Sequence, residues 1–187
     1  MKFFGFVLMF LSLSCFSQDY NFTEVKTDLN QDGSISYSTS FSFKGDTLKL
    51  KSGIQDIKAY AELTEAISEV KEINSKNNLR EYYMLYDMPW PLENRQSVSS
   101  SRIWNENGKM MIHTKPFKSS YNFENEAIIM DNFFEKWEVS QTTNNNISVN
   151  VNGLIDLKGE LPSWLVKTFI PNELKNSYTS IIKKAIK

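Results

Sequence analysis

The sequence predicts an α+β domain, an antiparallel sheet with its helices gathered on one side, and three observations lead there. Apolar and polar residues alternate through most of the chain, turn-forming residues separate these runs, and the last segment changes to helical spacing.

Residues 20–26 and 34–44 read as strands joined through Asn30-Gln31-Asp32-Gly33, because Asp-Gly favours a tight hairpin turn. In the second run Ile35, Tyr37, Thr39, Phe41 and Phe43 alternate with Ser and Lys, as a half-buried strand requires. Leu48 and Leu50 suggest a further short strand. Ile54, Ile57, Tyr60 and Ala61 then fall at helical spacing behind Ser52 as a cap. Residues 65–73 fit two periods: Ala66, Ser68 and Val70 alternate like a strand, while Leu63, Ile67 and Val70 would continue a helix. From there β structure is expected over 80–87, 97–104, 109–114, 132–141 and 147–157. Asn105-Glu106-Asn107-Gly108 and Asn144-Asn145-Asn146 supply turns between them. The chain closes with the stripe Leu174, Tyr178, Ile181, Ile182 and Ala185, a helical face that must cover something apolar.

With 187 residues, 41% of them hydrophobic, and no repeat or linker, the chain is the size of one domain. A formal charge of −1 without a sustained basic run argues against nucleic acid as a partner. Lys2, the apolar residues 3–13 and the small residues that follow resemble a signal peptide, which divides the chain into a leader, 1–17, and a domain, 18–187. The apolar stretch is too short to span a bilayer, for which about 20 residues are needed. The protein is therefore expected outside the cytoplasm, periplasmic or secreted. Leu11-Ser12-Leu13-Ser14-Cys15 also distantly resembles a lipobox, so anchoring through an acylated Cys15 is the alternative to cleavage after Ser17. Cys15 is the single cysteine, so the domain itself has neither a disulfide nor a cysteine nucleophile.

Four segments, in order, carry a resemblance. Asp32-Gly33-Ser34-Ile35-Ser36-Tyr37 comes first; Trp90-Pro91 follows a strand end, with Arg95 a short turn later. Lys136-Trp137-Glu138-Val139 comes third, and Asp156-Leu157-Lys158-Gly159-Glu160-Leu161-Pro162-Ser163-Trp164-Leu165-Val166-Lys167 closes the set. Together they resemble the START-like, lipid-binding helix-grip domains, as a divergent bacterial-type member. Arg95-Gln96-Ser97 departs from the family's Arg-Asp-aromatic triplet, and Leu157-Lys158 replaces its Pro-Gly. The resemblance implies a helix-grip fold, a curved antiparallel sheet wrapped around a long C-terminal helix. It also implies one hydrophobic or amphipathic small molecule, of lipid type, in an internal cavity. Trp90, Pro91 and Arg95 are read as structural within it.

In that register Tyr82, Met84 and Tyr86 would face inward from one strand and Ser97, Ser99, Ser101 and Ile103 from the next, although a slip by one residue would turn the serines to water. Trp164, Tyr178 and Ile181 would complete the wall from the closing segment, 162–187, which is expected to act as a lid. Where relatives can hold an acidic and a basic side chain, the inward positions here are Tyr82 and Ser101, with Arg102 of opposite parity. A neutral or weakly polar ligand is the expectation that follows.

Other chemistry finds little support. Residues 28–35 begin like a calcium loop, yet Thr39 stands where a bidentate Glu is needed, so the stretch reads as a hairpin turn. One histidine, His113, supplies neither a metal pair nor an obvious catalytic set. No cofactor motif occurs. A non-catalytic carrier, acting as a monomer with transient membrane contact, is the expected function, and a cyclase- or aromatase-type enzyme using the same cavity is the alternative.

Overall fold

The computed structural model describes residues 20–62, 64–118, 121–123 and 126–186. The leader and Cys15 lie outside the described residues.

The strands form one sheet. β1 (Tyr20–Phe22) and β2 (Lys26–Leu29) pair in turn with β3 (Ile35–Lys44), so the expected first strand is two short ones. The hairpin turn before β3 forms as read, with Asp32 accepting from the Ser34 amide at 3.0 Å and hydroxyl at 2.6 Å. Leu48 and Leu50, expected in a strand, instead belong to helix α1 (Thr47–Gln55). Asp46 caps this helix by accepting from the Leu48 amide at 2.7 Å, and the spacing of buried Leu50 and Ile54 is that of one helical turn. A 3₁₀ segment, Ile57–Glu62, follows.

The ambiguous stretch is β4 (Ile67–Lys76), an edge strand beside β5 (Leu79–Tyr86). Then come β6 (Arg95–Glu106), β7 (Lys109–Pro116), β8 (Ile128–Ile129), β9 (Phe133–Gln141) and β10 (Asn146–Ile155). The sheet order is β1-β3-β10-β9-β7-β6-β5-β4, antiparallel throughout this path, while β8 joins β6 in parallel. Its outer face is covered over β5 and β6, where Tyr83 stacks on Tyr121 at 5.0 Å. Both faces of β6 are therefore buried from Arg95 to Ser101.

The closing helix begins with a π-turn, Leu165–Phe169, that runs straight into α2 (Ile170–Ile186). Proline within a helix lacks a donor and crowds the carbonyl four residues back. A widened turn just ahead of Pro171 relieves that crowding, so the helix continues through the proline. Tyr178, Ile181, Ile182 and Ala185 of α2 pack with α1 and the inner faces of β3, β7, β9 and β10. This is the helix-grip arrangement. Arg95 secures the passage into the closing helix: buried, it donates to the Leu157 carbonyl at 2.5 Å, to the Lys158 carbonyl at 3.3 Å and to the Glu93 carbonyl.

The apolar interior is divided. One cluster holds α2 to the sheet, a second lies beneath the π-turn around Ile35, Met130 and Leu165, and a third joins Ile57, Tyr82 and Met84. A domain of this size ordinarily has one contiguous core. Here the three clusters border a void.

Candidate functional site

Between α2 and the sheet lies a partly open cavity of about 200 Å³. Tyr82, Met84 and Tyr86 line it from β5, Ser97 and Ser99 from β6, Ile112 and Thr114 from β7, and Glu135 and Trp137 from β9. Tyr37 enters from β3, Tyr60 from the 3₁₀ segment, and Leu174, Ser177, Tyr178 and Ile181 form the roof from α2. The volume is below the about 300–1,000 Å³ usual for ligand pockets. A two-chain lipid would need the roof to move. A larger groove of about 700 Å³ between β1–β2 and residues 167–175 is an open surface feature bordered by Glu24, Lys26, Asp28 and Lys175, so it cannot desolvate an apolar ligand.

Cross-strand register explains the wall. Met84 pairs with Ser97 and Tyr82 with Ser99, and paired residues share a face, so the phenols and hydroxyls are side by side. The Ser97 and Ser99 hydroxyls lie 3.5 Å apart, and Tyr60 meets Tyr82 edge-on at 5.7 Å. Seven of the nine sequence-predicted site residues, Tyr82, Met84, Tyr86, Ser97, Ser99, Tyr178 and Ile181, border the void. Ser101 does not. It is buried beneath Thr114 of β7, whose hydroxyl bonds it at 3.1 Å and takes its place in the wall. Trp164 is also elsewhere: it is exposed, edge-on to Phe169 at 6.4 Å, because it turns away from the helix face that buries Leu165 and Val166. His113 meets Phe134 edge-on at 6.5 Å and does not line the cavity. Burial, with Lys115 and Lys136 nearby, lowers its pKa from the usual value.

The most polar feature of the cavity comes from β9. Glu135 Oε2 accepts from the Tyr178 hydroxyl at 2.6 Å and the Tyr37 hydroxyl at 2.8 Å, and its Oε1 accepts from the Trp137 indole N–H at 2.7 Å. Tyr37 reaches it by crossing β10 at Gly153, the residue paired with both Tyr37 and Glu135. A Cβ there would lie 2.1 Å from Tyr37 Cζ, so only glycine leaves room for the ring. In the sequence an acidic and basic pair is sought at the inward positions of β5 and β6, and Glu135 is not singled out. The acid is on β9 instead of β5 or β6, and among the described residues lining the void there is no Lys, Arg or His beside it. Alternation with Trp137 and Val139 carried the signal, since it puts Glu135 on their face.

Burial raises the pKa of Tyr37, Tyr60, Tyr82 and Tyr178 above the ordinary phenol range, with Glu135 adding to the shift in each. Tyr86 is pushed up to about 12 by burial, against an opposing bond to Ser97. All five therefore remain O–H donors at physiological pH. Their pKa values are higher folded than unfolded, so the stability they contribute is complete below about pH 10 and is lost as pH rises beyond it. Thermal melting should hold level and then fall steeply above about pH 10, and Tyr178→Phe should make the fall shallower. Tyrosinate absorbance appearing at the ordinary pH for all eight tyrosines of the intact fold would contradict this.

No family model matches the sequence, and no curated protein matches it. Solved structures do. The STAR-related lipid transfer protein from Xanthomonas axonopodis superposes with a TM-score of 0.67 at 11% identity, over 85% of this chain and 97% of that one. Human StAR-related lipid transfer protein 5 gives 0.65 at 13% identity, covering 90% and 87%. Human STARD10 gives 0.63 at 15% identity, covering 86% and 74%. The chain has the START-domain fold. Within that fold the helix α2 and the sheet β3–β10 hold the cavity between them, and identities this low carry the architecture and no individual side-chain role.

Proposed function

We propose that this START-fold chain binds one hydrophobic or amphipathic small molecule in the cavity beneath α2 and carries it outside the cytoplasm. The supporting observation is a void walled by Tyr, Met, Ile and Trp side chains, with hydroxyls and one carboxylate placed among them. Apolar surface supplies affinity in such a site, and a few fixed polar groups orient the occupant. Two of the similar structures are named as lipid transfer proteins, which agrees with a lipid-type cargo. A carrier that loads from a membrane needs only transient contact with it. In this reading the lid is the helix from the π-turn onward, which shifts to admit cargo, and the chain works as a monomer.

A cyclase or aromatase would need a proton-transfer group poised at the substrate, and among the described residues Glu135 is the one carboxylate lining the void. Its three bonds fix it as an acceptor among phenols that stay protonated, so binding is the better supported reading.

The test uses chain recovered from outside the producing cell, whose intact mass should correspond to a start near Gln18 or at an acylated Cys15. Amide and methyl NMR of this sample is followed during titration with single-chain amphiphiles. Shifts should concentrate at Met84, Ser97, Ser99, Ile112 and Ile181. Shifts confined to the outer surface, or a product beginning at Met1 and retained in the cytoplasm, would contradict the corresponding half of the proposal.

A further inference from the structure

Among the described residues Glu135 is the one charged side chain bordering the cavity, and its neighbours satisfy only part of its hydrogen bonding. A carboxylate offers about four acceptor sites on its two oxygens. Tyr37 and Tyr178 fill those of Oε2, and Trp137 fills one of Oε1. One site on Oε1 is left, on a residue that itself forms the cavity wall. The three donors are neutral, so they leave the negative charge uncompensated.

Among the described residues the surroundings offer no cation to do so. Arg80, near enough to Tyr60 to act on it electrostatically, directs its guanidinium to the carbonyls of Gln55, Asn77 and Leu79. Lys136, the neighbour of Glu135 in sequence, is of opposite parity and pairs with Glu138 at 3.2 Å on the outer face. Glu135 is half-buried, so part of its charge faces the cavity, where a cationic partner would be attracted to it.

We infer that the occupant's polar end is a protonated amine, whose N–H donates to Glu135 Oε1 while its apolar part lies along Tyr82, Met84 and Ile112. The inference rests on the cavity being a binding site, and it specifies the class of ligand: an amphiphile with a cationic nitrogen, short enough for a void of about 200 Å³.

Calorimetric titration of the folded protein with octylamine, 1-octanol and octanoate separates the possibilities, because the three share a chain and differ in the head. Octylamine should bind about tenfold or more tightly than octanol, the ratio expected for one hydrogen bond to a charged group. Octanoate should bind weakest. Glu135→Gln should bring octylamine and octanol to within about threefold of each other. Tyr37→Phe, which removes a donor and leaves the carboxylate, should keep or increase the amine preference, and it provides a readout if the Gln variant folds poorly. Octanol binding as tightly as octylamine, or an amine preference that survives Glu135→Gln, would overturn the inference while leaving the cavity a binding site. Failure of all three probes to bind would overturn the binding-site reading, and the inference with it.

Discussion

Gly153→Ala should lower the free energy of unfolding by about 2–5 kcal/mol, the sum of overpacking and of a part-buried hydrogen bond to a carboxylate broken. The new methyl would stand 2.1 Å from Tyr37 Cζ and 2.3 Å from its hydroxyl oxygen, both well inside van der Waals contact. Flexible surface side chains can give way to such an intrusion. Tyr37 cannot, because its ring is buried against the core and its hydroxyl is bonded to Glu135. Moving it strips one donor from a carboxylate that has only neutral partners. The effect on binding should be as marked as that on stability, since ring and carboxylate both border the cavity. Chemical denaturation is the measurement, and a double mutant identifies the cause. Tyr37→Leu removes the atoms that collide, so with Leu in place the additional cost of Gly153→Ala should largely vanish. Additive losses, or a Gly153→Ala variant within about 0.5 kcal/mol of the parent, would show that the ring does not cross the strand as described.

That crossing marks the boundary of what the sequence reveals. Strands β3, β5, β6, β7, β9 and β10 are legible because each must present alternate residues to one interior, and α2 because its stripe repeats at helical spacing. The end of α1 lies within the helical spacing that includes Ile54, but its first turn reads as strand because Leu48 and Leu50 alternate; the informative residue is not Ser52 but Asp46, whose carboxylate caps the helix and leaves Leu48 exposed. The two-residue strand β8 has no periodicity to find, since its pairing with β6 is set by the loop that covers Tyr83. Within the site, the face carrying Tyr82, Met84, Ser97 and Ser99 follows from parity once the register is known. Tyr37, Gly153 and Glu135 each had the correct parity too. Their meeting depends on β10 lying between β3 and β9, an adjacency that long-range pairing decides and local pattern does not. Trp164 shows the converse error: a large apolar residue in a matching motif still faces solvent when it lies at the helix start on the side away from Leu165 and Val166.

Filling the void is the second change with a large expected effect, and it bears on the central claim that the cavity holds a molecule. Ser99 is buried on β6, opposite Tyr82 and within the lining. Ser99→Phe would place a ring in the space beneath α2. In a fully packed interior that exchange would cost about 1–3 kcal/mol or more through strain, but an existing void can take the ring with little loss. Binding should then disappear while the fold remains. Native mass spectrometry of the parent and Ser99→Phe chains, each isolated from its producing cells and then offered lipids and alkylamines, is the most direct measurement. The account predicts that the parent carries or takes up one small molecule, and that Ser99→Phe appears at its bare mass with a melting curve close to the parent's. A parent that emerges empty and takes up none of the offered molecules, or a Ser99→Phe chain that retains the adduct, would contradict it.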